Sequence, residues 1–362
     1  MYVAALIARM PALAPEARFR LWTHPDNPEP TEAPNVSSLV VPATADGLRT
    51  LFRPASLDEL APDDVVHFPF SLLGRDLPCP SVVTIHDLMW LEHPEKVDAR
   101  PLMRRLRARY YQLGMRAALA HATRLIAVSE ATAERIVAVS PKSAPRVRVI
   151  HNAAGPAFAA PADLEASRKR AAQLIGSDAP YYLVVGKNEP YKAHQLVLEA
   201  FAREARPEEL LVLVQRTRRG AGLDLLAERL GIAARLRWLP TLSQPELVTV
   251  LQAARALLQP SLVEGFGIPV LEAMASGCPV IASDTPALVE VLAGAGLHAP
   301  VGDGAGLAAA MRRLRDGSLR DELRARGLER AKAFSWDAAA AATLEVYRET
   351  AAVGKGTPCS TF

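Results

Sequence analysis

Two glutamates in a Glu-x7-Glu spacing, Glu264 and Glu272, frame the densest chemical information in the chain: Glu264-Gly265-Phe266-Gly267-Ile268-Pro269-Val270-Leu271-Glu272-Ala273-Met274-Ala275-Ser276-Gly277-Cys278-Pro279-Val280. A strand ending at Gln259 passes into a glycine-containing loop. A helix is expected to start near Ile268-Pro269, where a proline is tolerated because its missing N–H would have no partner anyway. It should end at Gly277, a natural helix stop. The N–H groups of Phe266 to Ile268 and the positive end of that helix would make an anion site suited to a diphosphate. Glu264 precedes the helix and Glu272 lies about one turn inside it, so both carboxylates can line one cleft with different contacts. The plainer alternative is a strand-to-helix turn carrying two exposed acids.

A second group is Val185-Gly186-Lys187-Asn188-Glu189-Pro190-Tyr191-Lys192, where a strand enters a glycine turn followed by two lysines. A departing diphosphate gains negative charge as its bond breaks, and two ammonium groups aimed at it stabilise that transition state without a metal. Lysine suffices where a point charge is wanted. Surface lysines are common in such loops, and it is the company of Glu264 that gives Lys187 and Lys192 a site reading. In the first half, Val65-Val66-His67-Phe68 and Val82-Val83-Thr84-Ile85-His86-Asp87 each place polar residues just past an apolar strand, the end at which ligands bind in open α/β sheets. His67, His86 and His93 are too loosely spaced to suggest a zinc site, and a satisfied core histidine is the plainer reading of His86.

These residues need a scaffold of alternating strands and helices. Short β-branched runs recur between Ala/Leu/Arg-rich stretches of helical period, the pattern of βα units on parallel sheets. Strands are expected at 65–68, 82–85, 125–128 and 147–150, with helices at 102–120 and 131–139. A second series has strands at 182–185, 210–214, 236–239, 256–258 and 280–282. Pro156 and Pro161 mark a linker between the two series. This divides the chain into an N-terminal domain 1–155, a C-terminal domain 161–335, and a final helix and tail at 336–362, the helix expected to pack back toward the N-terminal domain. Ser129 reads as a helix cap, and residues 354–358 as a loose tail.

Composition narrows the function classes. The 362 residues are half hydrophobic and 22% charged, an ordinary globular balance with room for two domains. A net charge of +3 without a basic tract argues against nucleic acid. Arginines such as Arg104, Arg105, Arg107 and Arg109 remain compatible with a local patch facing an anionic membrane. Cys79, Cys278 and Cys359 are too few and scattered for a disulfide framework, which fits a reducing cytosol. No segment reaches the roughly 18 apolar residues that a membrane span requires.

The Glu264 to Val280 pattern closely resembles the signature of glycosyltransferase family 4, whose members have the GT-B fold. The resemblance runs from about His67 to Tyr347 and is tighter in the second half. It implies an α/β architecture of two Rossmann-like domains facing across a cleft, the first lacking its initial strand, because the chain opens on the helix that follows that strand in the family. The resemblance implies a retaining hexosyltransferase, mannosyltransferase-like, that takes a nucleotide-diphosphate sugar as cosubstrate. Its Glu264 would lie by the sugar and Glu272 would hydrogen-bond the ribose. Gly265, Phe266, Gly267, Ile268, Lys187 and Lys192 would hold the diphosphate, with Gln215 and Leu239-Pro240 near the base. Thr84-Ile85-His86-Asp87-Leu88 resembles the acceptor-domain motif, so His86 would reach the donor sugar across the cleft. With Glu264 and Lys192 it makes up the catalytic set.

Two departures stand out: Lys192-Ala193 replaces the family's usual Lys-Asn, and Asn152-Ala153 its Asn-Gly. No Asp-x-Asp occurs in the chain, so no metal and no cofactor are expected. By analogy GDP-mannose is the favoured donor, and the acceptor is a glycan or lipid-linked saccharide met in the cytoplasm or peripherally at the inner membrane face, as in polysaccharide biosynthesis. A nucleotide-sugar hydrolase or epimerase on the same fold, or a non-catalytic nucleotide-sugar-binding protein, are the alternatives.

Overall fold

The computed structural model describes residues 2–24, 33–41, 60–74, 77–97, 101–215 and 222–354. The chain divides into two compact units. One comprises Met1–Glu95, Arg100–Asn152 and Ser335–Phe362, the other Lys96–Ala99 and Ala153–Phe334.

The first unit opens on helix α1 (Tyr2–Ile7) and holds two parallel sheets among the described residues. Strands β1 (Phe19–Thr23) and β2 (Val36–Val40) form one. The other has the order β3 (Val66–Phe68), β4 (Ser81–Ile85), β5 (Arg124–Ala127) and β6 (Val147–Val149). Strand β4 is buried along its whole length, the burial of a parallel strand covered on both faces. Helix α2 (Pro101–His121) crosses from β4 to β5, and α3 (Glu130–Val139) from β5 to β6. Ser129 starts α3: its Oγ accepts the Thr132 N–H at 3.0 Å, satisfying one of the donors that a helix start leaves over. Val83, Ile85, Met115, Leu119, Leu125 and Ile136 form the core between sheet and helices.

The second unit is a doubly wound domain. Its strands are β7 (Tyr181–Val185), β8 (Leu210–Val214), β9 (Leu236–Leu239), β10 (Ala256–Gln259), β11 (Val280–Ser283) and β12 (Leu297–Ala299). They lie parallel in the order β12-β11-β10-β7-β8-β9. Helix α4 (Leu164–Ile175) leads into β7, α5 (His194–Glu204) links β7 to β8, α6 (Gln244–Ala253) precedes β10, and α7 (Ile268–Ala275) links β10 to β11. Winding runs from β7 outward to β9, then returns to β10 on the other flank of β7. The order therefore reverses between β7 and β10, and the carboxyl ends of these two strands flank the crevice where open α/β sheets take ligands.

The last helix, α8 (Trp336–Gly354), belongs to the first unit, where it packs on α1 and β4. The tail read at 354–358 lies, beyond Gly354, outside the described residues. Strands β1, β2 and β12 escape the sequence expectation. The β1 and β2 segments, Phe-Arg-Leu-Trp-Thr and Val-Ser-Ser-Leu-Val, mix exposed and half-buried positions and show neither an apolar run nor a clean alternation.

Candidate functional site

Short polar segments at the strand ends build the site in the second unit. After β7, Gly186 takes φ +127°, a backbone conformation open to glycine, and starts the turn that carries Lys187. A single 3-10 turn, Pro190–Lys192, then folds back, and the Leu262 N–H donates to the Tyr191 carbonyl at 2.7 Å. That bond straps the Lys192 turn to the loop after β10.

In consequence the Lys192 ammonium meets Glu264 Oε1 directly, both side chains being about nine-tenths buried. The same oxygen accepts from Gln259 Nε2 at 2.8 Å and from Ser261 Oγ at 2.8 Å. Among the described residues every hydrogen bond to this carboxylate falls on Oε1. The sequence reading missed Gln259 and Ser261 as partners, although a glutamine closing an otherwise apolar strand was the available signal. Ser283 Oγ on β11 in turn donates to the Ser261 carbonyl and anchors the loop.

Helix α7 starts where expected, with Gly267 as its cap residue at φ +105°. A Cβ on Gly267 would stand 2.5 Å from Leu288 Cδ2, a side-chain tip that would have to shift, and the left-handed backbone is what calls for glycine here. Phe266 is buried against Phe334, ring centroids 5.7 Å apart. The Gly267 and Ile268 N–H groups thus sit at the positive tip of α7, next to Glu264. The helix ends at Ala275, with Gly277 at φ +71° just beyond the cap.

Glu272 is not on the surface. Only 5% exposed on α7, it is desolvated enough to push its pKa from 4.5 up to about 7. The proposed alternative of two exposed acids therefore does not describe this turn.

Lys187 stays exposed and lies on the wall of a cavity of about 320 Å³ at the carboxyl ends of β7 and β8. Val185, Val214, Leu242 and Leu247 make that cavity mostly apolar. Gln215 lines it as well: its Nε2 donates to His194 Nδ1 at 3.0 Å, and its buried Oε1 has no hydrogen-bond partner among the described residues. Burial, aided by the Lys192 charge, lowers His194 to about 3, so it stays neutral and can accept that bond. Leu239 and Pro240 are not in the cavity wall; Thr241 and Leu242, from the same turn, are. Ala193, the departure from Lys-Asn, has φ +49°, a left-handed conformation that asparagine adopts more readily than alanine.

In the first unit, His86 follows β4. The Pro69 carbonyl accepts a hydrogen bond from His86 Nε2 at 2.8 Å, which puts the proton of the neutral ring on Nε2 and leaves Nδ1 as an acceptor. Desolvation lowers the His86 pKa. Asp87 accepts the Met89 N–H at 2.9 Å and so shapes the turn. His67 bonds Tyr347 and Thr84, a satisfied pair of contacts that the sequence did not reveal.

Among the described residues no group of three or more His, Cys, Asp and Glu side chains is placed to hold a metal ion, and no helix is long and apolar enough to cross a membrane.

Comparison with known proteins adds a family context. Residues 165–333 match the model described as glycosyl transferases group 1, and residues 1–157 the model described as glycosyltransferase family 4. The O-antigen chain mannosyltransferase B of Escherichia coli is 35% identical over 175 residues, covering 46% of this chain and 45% of that protein. A D-inositol 3-phosphate glycosyltransferase of Streptomyces bingchenggensis (strain BCW-1) is 34% identical, covering 63% of this chain and 53% of the relative. The chain thus spans about half the length of these curated relatives. Among solved structures, sucrose-phosphate synthase from Thermosynechococcus elongatus superposes with a TM-score of 0.72 at 22% identity, over 97% of this chain and 93% of that one, a likeness of fold.

Proposed function

The chain belongs to the glycosyltransferases of family 4, with the GT-B architecture, and on that footing we propose that it moves a hexosyl group from a nucleotide-diphosphate sugar to a hydroxyl of a glycan or lipid-linked saccharide. The observation that carries this reading is Glu264, held through one oxygen by Lys192, Gln259 and Ser261 at the positive tip of α7, where the strand order reverses. In the reading proposed here, the diphosphate takes the Gly267 and Ile268 N–H groups, and Lys192 swings from Glu264 to the phosphate as charge builds on the leaving group. Gln259 and Ser261 keep Glu264 in place meanwhile. Lys187 lies on the cavity that would take the base, Glu272 would accept from the ribose hydroxyls, and His86 Nδ1 would accept from a sugar hydroxyl.

Transfer proceeds with retention in this proposal: the departing phosphate oxygen takes the acceptor proton on the face it leaves, and no covalent glycosyl intermediate is needed. No metal takes part; lysine and helix tip supply the positive charge. Mannose, as GDP-mannose, is favoured, a preference supported by the mannosyltransferase among the relatives.

A peripheral contact with the inner membrane face would use α2. Arg105, Arg109 and Arg116 share one exposed face with Leu106 and Leu113, 58% and 51% exposed, and the helix carries no acidic residue. Such a face suits anionic headgroups. Binding to phosphatidylglycerol vesicles and not to phosphatidylcholine would support it; equal binding would count against it.

The direct test of the activity is turnover of a panel of nucleotide sugars with saccharide acceptors, read by product analysis. A glycoside whose formation is lost in Glu264→Gln is expected. Free sugar or an epimer as the product would favour a hydrolase or epimerase. Donor binding with no turnover on any acceptor would indicate a binding protein.

A further inference from the structure

Four segments far apart in sequence meet in the first unit around one imidazole. His67, at the middle of β3, has Nδ1 2.6 Å from Tyr347 Oη on α8 and Nε2 2.8 Å from Thr84 Oγ1 on β4. Thr84 Oγ1 lies 3.0 Å from Tyr2 Oη on α1. The Tyr2 ring then meets the His86 ring edge-on, centroids 5.1 Å apart with an interplanar angle of 90°, and leans on Trp336 of α8 at 6.0 Å.

A neutral imidazole has one donor and one acceptor, so its two bonds run in opposite senses: with the proton on Nε2, Tyr347 donates to Nδ1 and Nε2 donates to Thr84; with the proton on Nδ1, the ring donates to Tyr347, Thr84 donates to Nε2, and Tyr2 must donate to Thr84. Neutrality is secured by crowding, because desolvation, with the nearby His86 adding to it, lowers His67 to about 3. Every nitrogen of the ring is thereby committed, and turning it breaks a bond on each side. Thr84 is fully buried, and Tyr2, His67, His86 and Tyr347 are half-buried around it. Core packing alone does not require a chain of four polar groups, which must be matched donor to acceptor to avoid a desolvation penalty.

We propose that His67 is a positioning residue: clamped between the Tyr347 and Thr84 hydroxyls, it fixes the Tyr2 ring that backs His86, so that the terminal helix α8 sets the orientation of the His86 imidazole. The catalytic consequence rests on the assignment of His86 to the donor sugar made above. His86 is held on one side by the Pro69 carbonyl and on another by the Tyr2 edge. Loss of the second support leaves a ring that can swing about the first, with Nδ1 no longer aimed.

Thr84→Val is the central variant, since it keeps shape and β-branching and removes only the bridging hydroxyl. Thr84→Ser restores the hydroxyl, and Tyr347→Phe removes the far end of the chain. Two readouts are taken on the full-length protein: the imidazole 15N and 13C signals of His86, and steady-state transfer. The expected result is that Thr84→Val and Tyr347→Phe both move the His86 signals, although Tyr347 bonds to His67 and not to His86. They should lower kcat on the order of tenfold or more, the scale of a small misplacement of a reacting group. Donor KM stays near the parent value, and Thr84→Ser behaves like the parent. His86 signals and kcat unchanged in variants that melt like the parent would overturn the proposal. A control separates the two layers. If His86→Ala turns over like the parent, the assignment of His86 to the sugar fails, and the coupling is then decided by the His86 signals in Tyr347→Phe alone.

Discussion

Glu272 should make donor binding depend on pH in a way that can be worked out in advance. Burial alone raises its pKa from 4.5 to about 7. If ribose hydroxyls donate to this carboxylate, the ionised form is the one that binds, and the protonated free protein must first release a proton. At pH 6, one unit below its pKa, only about one molecule in eleven carries the charge, so affinity should be weaker by about tenfold, or about 1.4 kcal/mol, than at pH 8. Calorimetry in two buffers of different ionisation enthalpy should find close to one proton released per donor bound at pH 6 and little at pH 8. The intact nucleotide sugar is the ligand of choice, because a free nucleotide diphosphate has a terminal phosphate that itself titrates at about pH 6. Glu272→Gln should bind with a flat profile. An affinity that is equal at pH 6 and pH 8, or a slope that survives in Glu272→Gln, would refute the reasoning.

The same shift has a stability consequence of fixed sign. Between pH 4.5 and 7 the folded protein holds a proton on Glu272 that the unfolded chain has lost, so this contribution is fully present below about pH 4.5 and is gone once pH rises past about 7. Its size is on the order of 3 kcal/mol, and the melting temperature of the parent should fall relative to Glu272→Gln between pH 5 and pH 8.

Three further outcomes are expected. Lys192→Ala should lower kcat on the order of 100-fold through loss of leaving-group stabilisation, and the fall should be equal with and without a chelator, since no metal is invoked; restoration of rate by added Mg²⁺ would contradict this. Gly267→Ala should cost at least about 1–2 kcal/mol from its left-handed backbone, with the Leu288 clash adding to it, and should weaken donor binding; a parent-like melting curve would count against the described α7 start. Ser129→Ala should cost about 1 kcal/mol through the lost cap of α3 while leaving transfer rates unchanged, and a drop in kcat at an unchanged fold would give Ser129 a role not assigned to it.

The local signals in the sequence were strong wherever one short segment holds all the information. The start of α7 follows from Gly267, Ile268 and Pro269 alone, because left-handed backbone and proline tolerance are properties of single residues. The buried strands β7, β8 and β10 announce themselves as largely apolar runs, since a parallel strand covered on both faces takes few polar positions. By the same logic β1 and β2 gave no such sign, being only partly buried.

What the tertiary structure decided is the pairing of groups. Lys192 reaches Glu264 across 72 positions because β7 and β10 are neighbours in the sheet, a fact of strand order that no local pattern encodes. Tyr347 reaches His67 across 280 positions because α8 returns to the first unit. Burial, which gives Glu272 its raised pKa, is likewise the sum of what other segments place around it. Residue types and short spacings therefore determined which chemistry the chain can offer, through local backbone preference and hydrophobic run length. Packing of distant segments decided which of those groups act together, because contact and desolvation depend on neighbours that the sequence does not place side by side.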